Sequence, residues 1–175
     1  MPNAATTLTV PEIFVYKTVG DLDIAADVYF PAGKFRESPC PVFLYIHGGG
    51  WISGTRKDVN GPMVHELLQR GIIVTSIDYR LMPEVTFEEQ LDDIRDAEIW
   101  ARSDMSTKIN ELGFAIMPDK VLVGGSSAGA HLAMMVVRDL HCNRASRRMH
   151  ADLVYSRTYG RPRRSPFWPS TDQPT

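Results

Sequence analysis

Hydrophobic and polar positions along the chain alternate between two periods. Residues 13–19 and 22–30 read as strands joined at Gly20-Asp21, which suits a hairpin turn. In the second, Leu22, Ile24, Ala26 and Val28 alternate with Asp21, Asp23, Ala25 and Asp27, as in a half-exposed antiparallel strand. Residues 42–46 form a third apolar run that ends at consecutive glycines. A helix opens at Asn60-Gly61-Pro62, carries Val64, Leu67 and Leu68 as its stripe, and stops at Gly71. Residues 72–77 are β-branched without alternation, the pattern of a central parallel strand.

Thr86 and Glu89 form a capping box, after which Phe87, Leu91, Ile94, Ala97 and Ala101 recur at helical spacing. Glu88, Glu89, Asp92 and Asp93 are read as a solvated face favoured by the helix dipole. Residues 103–117 suggest a short helix ending at Gly113. Val121, Leu122 and Val123 read as a strand buried on both faces, and 128–140 as a helix with Leu132, Met135, Val136 and Leu140 on one side. Strands alternating with helices argue for an α/β fold. The expected architecture is a doubly wound, mostly parallel sheet with antiparallel N-terminal strands.

The densest chemistry lies where strand 121–124 meets the next helix. Gly125, Ser126, Ser127, Ala128 and Gly129 fit G-x-S-x-G. Strand, sharp turn and helix are the context in which that pattern lifts a serine hydroxyl clear of the backbone. Bulk two positions either side of the serine is not tolerated in such a turn, which accounts for Gly125 and Gly129. A second motif, His47-Gly48-Gly49-Gly50-Trp51, also follows an apolar strand. Its glycines leave N–H groups free to face an anion, as acyl transfer requires.

Together these motifs resemble the α/β-hydrolase superfamily, in particular the hormone-sensitive-lipase-like esterases and carboxylesterases with HGGG. Residues 78–84, Asp-Tyr-Arg-Leu-Met-Pro-Glu, are similar to that group's DYRLxPE stretch, and Pro118-Asp119-Lys120 stands before the elbow strand as it does there. The resemblance runs from about Phe14 to about Leu140. It implies Ser127 as nucleophile, with the N–H groups of Gly48, Gly49 and Ala128 as oxyanion hole. It implies a small-molecule ester or acyl substrate and no cofactor. Ser126 departs from the group, which often has an acid there.

The two glycine motifs leave the base and acid unassigned. In this superfamily the order is Ser, then Asp or Glu, then His. Downstream of Ser127 stand Asp139, Asp152 and Asp172, and His131, His141 and His150. His131 and Asp139 sit on the helix leaving the elbow, and His141 lies at its far end, roughly 20 Å from the serine at 1.5 Å rise per residue. No triad acid or histidine is therefore identified. His47 belongs to the glycine loop and His65 to a helix face. The expectation is a truncated α/β-hydrolase fold over 1–140, catalytically incomplete. The alternative is a non-catalytic product or pseudoenzyme that acts by binding.

Composition changes after residue 140. Residues 141–175 hold seven arginines, no lysine and two acids, with prolines at 162, 166, 169 and 174. This Arg/Pro-rich tail is expected to be disordered. The whole chain has 175 residues and a net charge of −2, enough for one cored domain and no general reason to expect nucleic acid. Two cysteines, Cys40 and Cys142, make no disulfide framework. Neither the N-terminus nor any apolar run reads as a secretory signal or a membrane span, so the expected setting is the cytoplasm. An apolar sheet edge at 121–123 is an expected route to self-association.

Overall fold

A computed structural model of the chain describes residues 10–36 and 38–137. The expectations for 138–175, including the Arg/Pro-rich tail, Asp139, His141 and His150, lie outside the described residues. Five strands form one mixed sheet in the order β1-β2-β4-β3-β5. They are β1 (Glu12–Val19), β2 (Leu22–Tyr29), β3 (Cys40–Ile46), β4 (Ile73–Ile77) and β5 (Ile116–Gly125). Among the described residues four α-helices accompany them: α1 (Gly61–Gln69), α2 (Phe87–Arg102), α3 (Asp104–Asn110) and α4, residues 128–137.

The N-terminal hairpin is antiparallel and β2 continues antiparallel onto β4. From there β4, β3 and β5 run parallel. The β-branched run 73–77 is central, as its pattern predicts, and every residue in it is buried. Its two faces meet different helices. Val74 packs with Val64 and Leu68 of α1, while Thr75, on the opposite face, reaches the Met105 sulfur of α3. The sheet is thus sandwiched, with Val42, Leu44, Ile46, Ile73 and Ile77 forming fully buried rows on the α3 side.

Local signals set the helix starts. Asn60 caps α1 by accepting the Met63 N–H at 2.9 Å, with Pro62 inside the first turn. Thr86 and Glu89 complete the reciprocal capping box of α2. Glu89, held by the Thr86 backbone N–H, has its carboxyl below the usual range.

Four expectations change. Strand β5 starts at Ile116, five residues earlier than the apolar run, and 117–120 bulge out between the Cys40–Ile116 and Val42–Val121 pairs. Leu122 is not buried on both faces but 53 % exposed. It sits beside Phe43 on the face where α1 covers β2 and β4, and β5 lies at the margin of the described sheet. Asp93 does not belong to a solvated face. Its side chain is fully buried and paired with Arg80 at 2.8 Å and Lys17 at 2.7 Å. Burial pushes its carboxyl up, but the hydrogen bonds from Arg80 and Lys17 outweigh this and hold it below the ordinary value. Likewise β2 alternates only at its start. Asp27 is buried because Arg56 reaches it at 2.6 Å.

Candidate active site

The parallel strands β3 and β5 end side by side, with Ile46 opposite Gly125. The loop after β3 and the turn after β5 therefore emerge together at the carboxyl end of the sheet, where open α/β sheets place their sites. The turn is sharp. Ser127 takes φ 48, left-handed backbone that a serine enters at a cost of about 1 kcal/mol or more. Helix α4 begins at once, with Gly129 N–H donating to Ser126 O at 2.8 Å and His131 N–H to Ser127 O at 3.2 Å.

Both motif glycines are forced by one atom. A Cβ on Gly125 would lie 2.3 Å from the Ile46 carbonyl oxygen, and one on Gly129 would lie 2.2 Å from it. The same oxygen accepts the Ser126 N–H at 3.2 Å. The elbow is thus folded directly onto the end of β3.

The glycine loop closes over it. A Cβ on Gly48 would stand 3.2 Å from the Ser127 Cβ and 3.0 Å from Ser126 O, so this backbone borders the serine. Gly49, at φ 114, turns the loop, and its carbonyl accepts from Ile52 and Ser53 N–H. The N–H groups of Gly48, Gly49 and Ala128 have no hydrogen-bond acceptor among the described residues. Ser127 itself is exposed. The structure therefore brings Ser127, Gly48, Gly49 and Ala128 to one place.

His47 lies beneath the loop, 1 % exposed. Its Nδ1 is 2.7 Å from Gly48 O, and a carbonyl only accepts, so Nδ1 carries the proton. Its ring stacks on Tyr79 at 4.4 Å, and Tyr79 donates to His47 O at 3.2 Å. Burial raises the Tyr79 phenol to about 12, so it remains a donor. His65 is on α1, and His131 is one turn into α4.

Three supports escape the sequence reading. Gln90, fully buried on α2, donates from Nε2 to Trp51 O at 2.8 Å and to Arg80 O at 3.0 Å. Tyr45 donates to Ser126 Oγ at 3.1 Å. Asp93 fixes Arg80 through its backbone N–H and its guanidinium. A signal existed for Gln90 and Asp93: both fall on the stripe of Ile94 and Ala97, where a polar residue must have a buried partner.

Comparison with known proteins agrees with the fold. The BD-FAE family model matches residues 26–152. The chain is 42% identical over 120 residues to non-reducing polyketide synthase Preu6 of Preussia isomera, covering 68% of this chain and 5% of that protein. It is 42% identical over 144 residues to methylphloroacetophenone synthase of Cladonia uncialis, covering 76% of this chain and 6% of that one. Among solved structures it is similar to butyrate-bound Est2, a thermophilic esterase of Thermogutta terrifontis. The TM-score is 0.60 at 29% identity, over 74% of this chain and 44% of that one. The chain thus spans about one-twentieth of the curated relatives and less than half of the esterase. Among the described residues, no helix is long and apolar enough to cross a membrane, and no group of three or more His, Cys, Asp or Glu is placed to hold a metal.

Proposed function

The chain belongs to the BD-FAE family and has the esterase-like α/β-hydrolase fold, and from that premise we propose that it carries the nucleophile and oxyanion hole of a carboxylic ester hydrolase. Ser127 is the nucleophile, and Gly48, Gly49 and Ala128 supply the N–H donors. The single observation behind this is Ser127 at φ 48, wedged between two glycines pressed on Ile46 O and bordered by Gly48. In the reaction Ser127 Oγ attacks the ester carbonyl and the oxyanion is met by the loop N–H groups. The C–O bond breaks, the alcohol leaves with a proton, and water then releases the acid from the acyl-serine.

That proton needs a base, and in this reading the 175 residues lack a working one. His47 keeps its Nδ1 proton on Gly48 O and its ring under Tyr79, which supports excluding it. Loss of a triad member leaves roughly 10³–10⁴ of rate over water. The chain is expected to show no acyl-enzyme burst with an activated short-chain aryl ester and weak fluorophosphonate labelling, with Ser127→Ala changing little. Appending an in-frame downstream Asp and His should restore both, and Ser127→Ala should then abolish them. Rapid stoichiometric labelling of the 175-residue chain would overturn the incomplete triad. Failure of the extended chain to label would overturn the hydrolase reading in favour of a non-catalytic binding module.

The relatives favour one refinement. Because they are polyketide synthases by name, the acyl group handled here is a polyketide chain, carried as an ester or thioester. An acyl-serine and an oxyanion hole serve both. We also place self-association at β5, supported by the exposed Leu122 at the margin of the described sheet. The buried free thiol of Cys40 supports a reducing, cytosolic setting.

A further inference from the structure

The glycine loop is left-handed for three residues in a row, with Gly49 at φ 114, Gly50 at φ 61 and Trp51 at φ 67. The two glycines enter that region freely, but Trp51 is strained there. Such a residue keeps its conformation only where its surroundings over-determine it. Here they act on one atom. The Trp51 carbonyl oxygen accepts the Met82 N–H at 2.9 Å and the Gln90 Nε2 at 2.8 Å.

Gln90 also holds the neighbouring segment. Its Nε2 donates to Arg80 O at 3.0 Å, while Asp93, one turn on along α2, accepts the Arg80 N–H at 3.0 Å. Residues 79–82 bind the glycine loop at both ends, Tyr79 through His47 O and Met82 through Trp51 O. One nitrogen of Gln90 is thus bonded both to the loop and to the segment that carries it. Two carbonyls on that nitrogen fix the sense of the amide, because the reverse would set oxygen against oxygen. The Gln90 Oε1 is buried with no partner among the described residues. A residue present only to fill the core would be apolar and would not carry that cost.

We propose that Gln90 is a positioning residue: it keeps Trp51 left-handed and so sets where the Gly48 and Gly49 N–H groups stand beside Ser127. Those two glycines lie between the end of β3, fixed in the sheet, and Trp51, so releasing Trp51 frees the loop at one end. A side chain that serves both carbonyls needs two N–H donors on one atom, which glutamate and methionine of similar length lack. That the loop N–H groups meet an oxyanion rests on the role proposed for Ser127; the hold on Trp51 does not.

Amide hydrogen exchange of the 175-residue chain, read residue by residue, tests the hold. The reporters are the N–H groups of Ile52 and Ser53, bonded to Gly49 O, and of Met82, bonded to Trp51 O. In Gln90→Met they should exchange roughly twofold to tenfold faster relative to residues 73–77 of β4, the range for one lost hydrogen bond. Ile94→Val, a packing lesion one turn away on the same buried stripe, should speed both sets alike. Gln90→Asn keeps the amide but is one carbon too short to span both carbonyls, and should behave as Gln90→Met does. An unchanged ratio in either Gln90 variant, or failure of both to fold, would overturn the proposal. In the chain extended with a downstream Asp and His, Gln90→Met should also slow fluorophosphonate labelling roughly tenfold or more, as a misplaced site does. An undiminished rate would overturn the link to the reaction. If the extended chain with Gln90 intact does not label, the hydrolase reading fails, and the exchange ratio still decides the hold on Trp51.

Discussion

The carbonyl oxygen of Ile46 lies 2.2 Å from where a Cβ on Gly129 would stand, so the end of β3 and the start of α4 are in backbone contact. Neither side can yield cheaply, because that oxygen also accepts the Ser126 N–H. Gly125→Ala and Gly129→Ala should each destabilise the fold by about 1–3 kcal/mol or more. Gly33→Ala, where a Cβ meets nothing within 4 Å, is the control and should be near neutral. Urea midpoints of the three variants decide it; a neutral Gly129→Ala contradicts the contact.

Strain at the serine has its own signature. Ser127→Gly should raise stability over Ser127→Ala by about 0.5–1 kcal/mol, since only glycine enters φ 48 freely. The comparison holds the hydroxyl constant, absent in both. If the glycine variant melts at or below the alanine variant, the turn stores no strain.

Asp93 makes the fold sensitive to acid. Its folded carboxyl sits below the ordinary value, so its contribution is complete above the unfolded value of roughly 4 and disappears as pH falls through the folded one. Asp93→Asn should cost about 3–5 kcal/mol at neutral pH, because Lys17 and Arg80 lose a buried partner. Between about pH 5 and pH 2 the wild-type chain should then lose more stability than the variant. Parallel pH profiles for both would count against this role.

Tyr79 acts at the other end of the scale. Burial raises its phenol to about 12, so its contribution is complete below roughly 10 and is lost as pH rises through the folded value. Tyr79→Phe should cost about 1 kcal/mol at neutral pH by leaving His47 O unpaired. It should also flatten the alkaline decline. Stability of both chains against guanidinium between about pH 9 and 12 tests this.

Much of the fold was legible because it is locally encoded. The capping box at Thr86, the cap at Asn60 and the β-branched run 73–77 each carry their own physics, and each sits where the sequence places it. Ser127, Gly48, Gly49 and Ala128 were legible as a group because each motif follows a strand, and adjacent parallel strands bring the motifs together. What escaped depends on partners distant in sequence. The burial of Asp93 needs Lys17 from β1, and the hold of Gln90 on Trp51 needs a loop 39 residues away. The exposure of Leu122 depends on which strands and helices flank β5, information that an apolar triplet does not hold.

The bond between Tyr45 and Ser126 joins residues 81 positions apart. A chain made at 5–20 residues per second presents Tyr45 on the order of 4–16 s before Ser126 emerges. Throughout that interval β3 has neither its β5 neighbour nor the turn that rests on Ile46. Closing so long a loop comes after the hairpin β1–β2 and the capped helices can form. The left-handed serine therefore appears only at the last docking step. The left-handed backbone at Ser127 is then a timestamp of completed folding, and a probe that reads it during synthesis reports the moment β5 closes on β3.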